Sequence, residues 1–494
     1  MSQNILSIDQ GTTSTRVMIF DSAGKILSKV SKNLRQIYTR SGWVEQDPNE
    51  IINSVISLSK EALRKSKLGI QEITSIGIAN QRETTIIWDK NSGKPVYNAI
   101  VWQDNRTSDL CINLFQRGLS DDIKKRTGLV IDPYFSSTKI RWILDHIPDG
   151  QKKAENDELL FGTVDSWIIW NISSVKNHYI DSTNASRTML MNINDLKWDD
   201  YLLKKLNIPI NILPEIKPSI GEFGVTSKNI FTKEIPITGV AGDQSASLYG
   251  QACFEKSQIK CTYGTGAFLM VNTGSRIISN NPGGLLRTLA YNYFSSKNYA
   301  LEGSILSSGS TMSWLRDNLG IISNLDISSD ISKSLDSLEG LYFVPSFAGL
   351  GAPHWNTNAK AMISGISFST HSDHIIRAAL ESTAYQVKDI VESLDISIKS
   401  SITSIRVDGG QTSNDFLMQF QADILGLPIE VSKNIESTAL GAAFMSGIGS
   451  KIWKTENQLK SIYEHSQIYE PKMNKSEVEN LYSGWLNAIN KLNY

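Results

Sequence analysis

Short apolar runs alternate with polar turns from the beginning of the chain. One run ends at Asp9, a turn of glycine, threonine and serine follows, and a second apolar run covers 17–20. Another turn at 21–24 and the stretch 25–34 complete a pattern typical of three consecutive strands. Because helix-like and strand-like stretches then alternate to the end, the sequence predicts an α/β or α+β fold.

Two later stretches carry an apolar stripe at helical spacing. They cover about 373–394 and 476–492. The stripe residues are Leu380, Ala384, Val387, Val391 and Leu394 in the first stretch, and Val478, Leu481, Trp485, Ala488 and Leu492 in the second. A stripe at this spacing forms one face of a helix, so both stretches are predicted to be helices that pack into a core.

The length of the chain predicts more than one domain. Its 494 residues exceed what one ordinary hydrophobic core accommodates, so we expect two domains, with three as the alternative. The Gly/Thr turn at 9–14 has a loose echo at 262–266, where apolar runs again bracket the turn. We therefore place a boundary near residue 250, which gives an N-terminal domain at 1–250 and a C-terminal domain at 251–494.

Charge and cysteine content narrow the possible partners and location. The net charge is -1, with 49 basic against 50 acidic residues, so neither nucleic acid nor an anionic membrane is expected as a partner. The three cysteines, Cys111, Cys253 and Cys261, form no C-x-x-C and no even set for disulfides. Neither a signal peptide nor an apolar run long enough for a bilayer is found, so the cytoplasm is expected.

Three turns have the composition of a phosphate site. The first, 9–14, puts Asp9 at a strand end, where a carboxylate can hold hydrated Mg²⁺ beside hydroxyl and N–H groups for phosphate oxygens. The second is 264–266, and the third is 408–410, followed by Asn414. Each also fits a plain turn or strand–helix connection without a ligand. Because the three are spread over the whole chain, together they predict a nucleotide held between two domains.

Two polar clusters have the chemistry of an acceptor site. Arg82 and Glu83 offer donors and acceptors suited to a vicinal diol, although a surface ion pair has the same sequence. Asp243 and Gln244 follow the apolar run 237–240 at a strand-to-helix elbow, where a carboxylate can reach a substrate hydroxyl; a helix N-cap is the alternative. The hydrolase signatures G-x-S-x-G and H-E-x-x-H do not occur in the sequence.

Several stretches of the chain resemble the FGGY carbohydrate kinases and, within that family, the glycerol kinases. The stretches that carry the resemblance are 80–85 (NQRETT), 128–134 (GLVIDPY), 134–139 (YFSSTK) followed by Trp142, 183–188 (TNASRT), 364–381 and 406–410 (RVDGG). The resemblance extends from Asp9 to about Gly447 and so covers nearly the whole chain.

The resemblance implies a fold, a reaction and a set of site residues. The implied fold is α/β, with two ribonuclease-H-like domains, as in actin, hexokinase and the Hsp70 ATPase, and a catalytic cleft between them. The implied reaction is phosphorylation of glycerol by ATP with Mg²⁺, in a cleft whose closure excludes water. The implied residues are Asp9 for magnesium; Thr12, Thr13, Ser14 and Arg16 for phosphates; Arg82, Glu83, Tyr134, Asp243 and Gln244 for the glycerol hydroxyls; Trp102 and Phe268 for its carbons; Thr265, Gly266, Gly309, Gly410 and Asn414 for the nucleotide; and Asp243 as general base.

Two positions depart from the enterobacterial relatives. The enterobacterial enzymes have a glutamine near the adenine at the position where this chain has Ser313, so Ser313 is left out of the expected site. The stretch 227–234 replaces the Gly-rich loop with an arginine that binds fructose 1,6-bisphosphate there, which argues against feedback by that sugar phosphate. The same stretch has no histidine, which argues against the histidine phosphorylation known in some Gram-positive relatives.

Two other functions remain as alternatives. One is an FGGY kinase for a pentulose or gluconate, but the pair Arg82 and Glu83 with Trp102 and Phe268 describes a small, three-carbon pocket. The other is an actin- or Hsp70-like ATPase that drives a partner-binding cycle, which would need an appended segment that is not evident after residue 450.

Relatives commonly form dimers and tetramers, so a homodimer or homotetramer is expected.

Overall fold

The computed structural model describes residues 3–278, 283–293, 296–356 and 358–493. The strands of the first half are β1 (Asn4–Gln10), β2 (Ser14–Phe20), β3 (Ile26–Asn33), β4 (Glu45–Gln46), β5 (Ile73–Asn80), β6 (Ile86–Asp89), β7 (Ala99–Ile100), β8 (Leu159–Gly162), β9 (Tyr179–Asp181), β10 (Met191–Asn192), β11 (Lys197–Trp198), β12 (Glu215–Lys217) and β13 (Ile237–Gly242). Its helices are α1 (Pro48–Ser66), α2 (Ser108–Gln116), α3 (Ser120–Thr127), α4 (Ser136–His146), α5 (Gly150–Glu155), α6 (Val164–Ile172), α7 (Ser182–Ala185), α8 (Asp200–Leu206), α9 (Lys228–Phe231) and α10 (Asp243–Gly250).

The second half has fewer and longer strands. They are β14 (Ile259–Tyr263), β15 (Ala267–Gly274), β16 (Leu286–Tyr293), β17 (Ser296–Ile305), β18 (Tyr342–Val344), β19 (Met362–Ser364), β20 (Ile405–Asp408), β21 (Ile429–Ser432) and β22 (His465–Tyr469). The helices are α11 (Gly309–Asp317), α12 (Ser328–Lys333), α13 (Ser372–Glu392), α14 (Ile396–Lys399), α15 (Asp415–Leu425), α16 (Ser437–Gly449), α17 (Glu456–Lys460) and α18 (Lys475–Asn490). Short 3₁₀ helices cover Ile70–Glu72, Ile210–Ile212, Leu325–Ile327, Gly410–Ser413 and Lys491–Asn493.

The larger sheet of the first half has five strands in the order β13-β5-β1-β2-β3. Strands β1, β5 and β13 run parallel, whereas β2 and β3 continue from β1 as an antiparallel meander. Every residue of β1 is buried, because α1 and α6 cover one face of the sheet and α16 covers the other. A strand covered on both faces has no alternation of polar and apolar residues, which explains its continuous apolar run.

The main sheet of the second half has seven strands in the order β16-β17-β15-β14-β20-β21-β22. Its central strand β14 is parallel to β20 and antiparallel to β15, as β1 is to β5 and β2 in the first sheet. Helices α13 and α15 pack on one face of this sheet, and α10 packs on the other. The two sheets therefore repeat one mixed arrangement, and the expected pair of ribonuclease-H-like α/β domains is confirmed.

Helices α10 and α16 lie against each other between the two sheets. Their backbones are so close that a Cβ atom on Gly441 would lie 1.7 Å from the carbonyl oxygen of Ala246, and one on Gly250 would lie 2.0 Å from that of Ser437. Glycine at both positions permits this contact. As a result, α16, which is distant in sequence from the first sheet, completes the core of that sheet.

The structure bears out the secondary structure predicted from the clearest patterns. The first three predicted strands are β1 to β3, and the two apolar stripes lie on α13 and α18 except for their last residues, Leu394 and Leu492, which follow the ends of these helices. The three cysteines are buried, and none forms a disulfide in the described part of the chain. Within that part, no helix has both the length and the apolar character that crossing a bilayer requires.

Candidate active site

The turn between β1 and β2 positions a buried carboxylate and an arginine side by side. The N–H of Gly11 donates to the carbonyl of Ser14 at 2.9 Å, and this closes the turn. Asp9 and Arg16 are paired in the register of the two strands, and Nη2 of Arg16 lies 3.1 Å from Oδ2 of Asp9. Arg16 also donates through Nη1 to Glu436 at 2.8 Å. The predicted magnesium and phosphate residues therefore lie at one strand end.

Burial dominates the electrostatics of Asp9. Its side chain is almost completely buried, and among the described residues no donor makes a hydrogen bond to Oδ2. Burial raises the pKa of Asp9 to about 6, although the charge of Arg16 acts in the opposite direction. Oδ2 has an ion-pair neighbour, Nη2 of Arg16, but no aligned hydrogen bond, and a buried carboxylate oxygen of this kind can still bind a cation.

In this turn, one hydroxyl-bearing residue is held by hydrogen bonds and the two that follow it are accessible. Nε1 of Trp102 donates to the hydroxyl of Thr12 at 2.8 Å, and Gln46 donates to the carbonyl of Thr12 at 2.5 Å. Thr13 is exposed and Ser14 is half-buried. Thr12 is thus fixed by two hydrogen bonds, while Thr13 and Ser14 beside it remain accessible to a ligand.

Three aromatic rings form an apolar wall beside this turn. The ring centroid of Trp102 lies 5.6 Å from that of Tyr134 and 6.3 Å from that of Phe268. Burial raises the pKa of the Tyr134 hydroxyl, which stays protonated at neutral pH and can donate a hydrogen bond. Phe268 belongs to β15 of the second sheet, so the two halves of the chain both contribute to the wall.

Behind the wall lies a buried ionic network that links the two sheets. Arg82 donates through Nη1 and Nη2 to the two oxygens of Glu302 at 2.5 and 2.9 Å. Arg187 donates to Glu83 at 2.6 Å and approaches Glu302 to 3.3 Å. Burial by itself would raise the pKa of Glu302, but the charges of Arg187 and Arg82 outweigh it and hold that pKa at about 2. Glu302 is therefore ionised in the folded protein.

Asp243 is the first residue of α10 and lies at the edge of this network. Its Oδ1 is 3.3 Å from Nε of Arg82, and 29% of its side chain is exposed. The charge of Asp243 contributes to the raised pKa of Asp9, so the two carboxylates lie close together. The next residue, Gln244, accepts a hydrogen bond from the buried Lys260. The predicted acceptor residues are thus adjacent to the predicted phosphate turn.

A cavity of about 740 Å³ opens on the second domain. Of the predicted nucleotide residues, Thr265, Gly309, Gly410 and Asn414 line this cavity, whereas Gly266 lies beside it. The N–H of Gly309 donates to the carbonyl of Gly264 at 3.1 Å, and a Cβ at Gly309 would lie 2.6 Å from that oxygen. The volume is within the range of small-molecule and cofactor sites.

Helix N-termini surround this cavity. Gly309 begins α11, and Asn414 caps α15 by accepting from the N–H of Leu417 at 2.9 Å. Free N–H groups and the helix dipole at such ends favour phosphate. Ser313, which was left out of the site expected from the sequence, also lines the cavity, and so does Trp314.

Sequence reasoning did not single out four residues of this site. They are Glu302, Arg187, Lys260 and Glu436. Glu302 directly follows Ala300 and Leu301 in the buried part of β17, and a charged residue in such a position is the one signal that could have been used. Its partner Arg82 is 220 residues away in sequence, so local patterns cannot reveal the pair.

Fold and site together define a two-domain kinase that uses a nucleotide. The N-terminal and C-terminal domain models of the FGGY family of carbohydrate kinases match residues 4–250 and 259–450. The chain belongs to this family.

Within the family, the chain is similar to glycerol kinases in sequence and in structure. The chain is 50% identical to glycerol kinase 2 of Thermotoga maritima over 99% of this chain and 98% of that protein. It is 47% identical to the glycerol kinase of Caldanaerobacter subterraneus over 99% of both chains. Among solved structures, Plasmodium falciparum glycerol kinase with ADP matches with a TM-score of 0.92 and 39% identity, covering 99% of this chain and 98% of that chain. Gluconate kinase from Lactobacillus acidophilus has a TM-score of 0.89 at 22% identity, covering 100% and 98%, and shares the fold.

Proposed function

We propose that this protein is a kinase that transfers the γ-phosphoryl group of ATP to glycerol, giving sn-glycerol 3-phosphate and ADP. One observation carries the proposal. The charged residues Arg82, Glu83 and Asp243 lie together beside the apolar wall and the phosphate turn. Such a pocket offers hydrogen bonds to adjacent hydroxyls and a surface for a short carbon chain. The similarity to glycerol kinases along almost the entire chain supports the same acceptor.

Each acceptor residue has a role that its surroundings allow. Arg82, Glu83, Tyr134 and Gln244 hold the glycerol hydroxyls, and Trp102 and Phe268 contact its carbons. Asp243 accepts the proton of the attacking hydroxyl, because it is the carboxylate of the cluster with an accessible oxygen. Phosphoryl transfer needs mainly in-line positioning and charge neutralisation, so one oriented carboxylate suffices for the acceptor.

The nucleotide spans the cleft between the two domains. The phosphates contact Thr12, Thr13, Ser14 and Arg16 of 1–250, and the rest of the nucleotide lies in the cavity of 251–494. The residues that hold it there are Thr265, Gly266, Gly309, Gly410 and Asn414. This division assigns the phosphates and most acceptor residues to the N-terminal domain, and the nucleoside, together with Phe268 of the acceptor wall, to the C-terminal domain.

Asp9 is the residue that would hold magnesium. The described part of the chain has no cluster of three or more metal-ligating side chains, but Mg²⁺ is commonly held by one or two carboxylates together with phosphates and water. Oδ2 of Asp9 fits this role, because it is paired with Arg16 at 3.1 Å but receives no aligned hydrogen bond from the described residues. When bound, Mg²⁺ supplies charge neutralisation for the phosphates.

A coupled assay of ADP release with ATP and magnesium tests the function. It is run on glycerol, xylulose, gluconate and no acceptor, and the phosphorylated product is identified. We expect ADP release that depends on glycerol, with one glycerol 3-phosphate formed per ADP. Release on a larger sugar would favour a pentulose or gluconate kinase, and release indifferent to acceptor would favour an actin- or Hsp70-like ATPase.

Assembly and location belong to the same proposal. We expect a homodimer or homotetramer, which light scattering coupled to size-exclusion chromatography can measure. We also expect the cytoplasm as its location, where ATP is available. Cell fractionation with an antibody against the protein tests that expectation.

A further inference from the structure

The ionic network behind the acceptor pocket is balanced in charge. Its members are two arginines, Arg82 and Arg187, and two glutamates, Glu83 and Glu302. All four side chains are at most 3% exposed. With two positive and two negative charges, the network is neutral without any further residue. Burying charge is costly unless it is paired, so this balance is what allows the network to lie inside the protein.

Glu302 binds two of the three nitrogens of Arg82 and leaves the third, Nε, to Asp243. The two glutamate oxygens take the two terminal nitrogens of Arg82, which is the bidentate geometry favoured for arginine and carboxylate. Nε then points to Asp243, at 3.3 Å. Asp243 is thereby oriented by Arg82, but its charge is not needed to balance the network.

We propose that Glu302 is a positioning residue for phosphoryl transfer: by holding both terminal nitrogens of Arg82 from the second sheet, it leaves only Nε for Asp243, and so limits how strongly Arg82 binds the carboxylate that accepts the glycerol proton. The inference rests on the proposed function. It also assigns a role across the cleft, because Glu302 lies on β17 whereas Arg82 follows β5 of the first sheet. The acceptor site is therefore complete only when both domains contribute.

The substitution Glu302→Gln removes one negative charge and keeps the shape of the side chain. The network then carries an unbalanced positive charge, and Asp243 is the nearest remaining carboxylate that can pair with Arg82. A carboxylate that is tied to arginine serves less well as a base. We expect kcat to fall by about 100-fold, while the affinity for ADP, measured by calorimetry, changes by less than about two-fold.

A second substitution separates charge balance from packing. In the double variant Glu302→Gln/Arg187→Met, Arg82 and Glu83 again balance each other, and we expect kcat to recover by about 10-fold over the single variant. Glu381→Gln is the matched control, because Glu381 is also buried and bonded to an arginine, Arg377 at 2.8 Å, and neither of these two side chains lines the nucleotide cavity. This control is expected to lower the melting temperature and leave kcat unchanged.

The outcomes are distinguishable from one another. A folded, ADP-binding Glu302→Gln protein with kcat near the wild-type value would overturn the inference, and so would a double variant no faster than the single one. If the wild type phosphorylates a larger sugar instead of glycerol, the proposed function fails, and the same series of variants on that sugar still tests Glu302.

Discussion

Two carboxylates of the site differ because their surroundings differ. Asp9 is buried with one oxygen lacking a hydrogen-bond donor, whereas Asp243 is accessible and oriented by Arg82. The first arrangement suits a cation, which compensates for the lost hydration of the carboxylate. The second suits a base, which must reach a substrate hydroxyl. The same chemical group therefore has two different environments, each suited to a different role.

The substitution Asp243→Asn tests the role of the base. We expect turnover to fall by about 10³-fold or more, because the amide cannot accept the hydroxyl proton. Calorimetry should still show binding of both glycerol and ATP. Asp200→Asn is a suitable control, since Asp200 is an exposed first residue of another helix, α8. Turnover of Asp243→Asn at the wild-type rate would contradict the assignment.

The pH dependence of stability tests the burial of Asp9. Because burial raises its pKa from 3.8 to about 6, the folded protein holds this proton more tightly than the unfolded chain does. The contribution of Asp9 to the free energy of unfolding therefore falls as pH rises from about 4 to 6. In Asp9→Asn this loss is absent, so without metal the variant should gain roughly 1–3 kcal/mol over the wild type between pH 4 and 7.

Urea unfolding in EDTA at pH 4, 5, 6 and 7 measures this difference. The same variant should lose its magnesium-dependent activity, since Asn carries no charge for the cation. A difference in unfolding free energy between the two proteins that stays constant over this range would show that the carboxyl group titrates normally.

Residues within motifs could be predicted from the sequence, and residues without a local signal could not. Arg82, Glu83 and Asp243 follow apolar strands, and the structure brings them together as expected of a site. Glu302 has no such signature, because its function depends on a partner in the other domain. Long-range ion pairs are products of the tertiary fold, and periodicity carries no information on them.

At the scale of elements, the contact between α10 and α16 is the tightest constraint. Both helices contribute glycine at the crossing, and an added methyl group at Gly441 would meet the backbone of α10. The helix α16 is buried nearly all round, so it has no polar face and no clear stripe. Its near-uniform apolar sequence explains why periodicity predicted α13 and α18 but not α16.

The substitution Gly441→Ala tests this contact. The new methyl group forces the helices apart, and we expect a loss of about 1–3 kcal/mol in the free energy of unfolding. Gly69→Ala is the matched control, because Gly69 has a φ of -74° and its Cβ would be 3.7 Å from the nearest atom. The control should be neutral or slightly stabilising. Urea titration of both variants gives the comparison, and equal stabilities would refute the close crossing.

At the scale of the whole molecule, the similarity of the two Gly/Thr turns in sequence reflects two sheets with the same strand arrangement. The turns at 11–13 and 264–266 follow the central strands β1 and β14 of the two sheets, and Asp9 lies near the end of β1. The sequence could therefore predict two similar domains. It could not predict that α16 packs on the first sheet, because that contact joins segments far apart in sequence, from 208 residues between Thr238 and Ser446 to 432 between Ser7 and Ala439.

The fragment 1–250 tests the dependence of the first sheet on α16. Without that helix, one apolar face of the sheet is exposed, and we expect the isolated fragment to unfold without cooperativity in urea and to lack near-ultraviolet circular dichroism. Co-expression with 251–494 should restore a soluble complex. Cooperative unfolding of the fragment alone would show that the first sheet is stable without α16.

The placement of α16 also sets the order of events during protein synthesis. A ribosome adds about 5–20 residues per second, so roughly 10–40 s separate the emergence of residue 250 from that of residue 449. Throughout this interval the nascent N-terminal half presents an incomplete apolar surface. The first domain of this enzyme thus matures after most of the second has been translated, and the growing chain is a natural client for chaperones that bind at the ribosome.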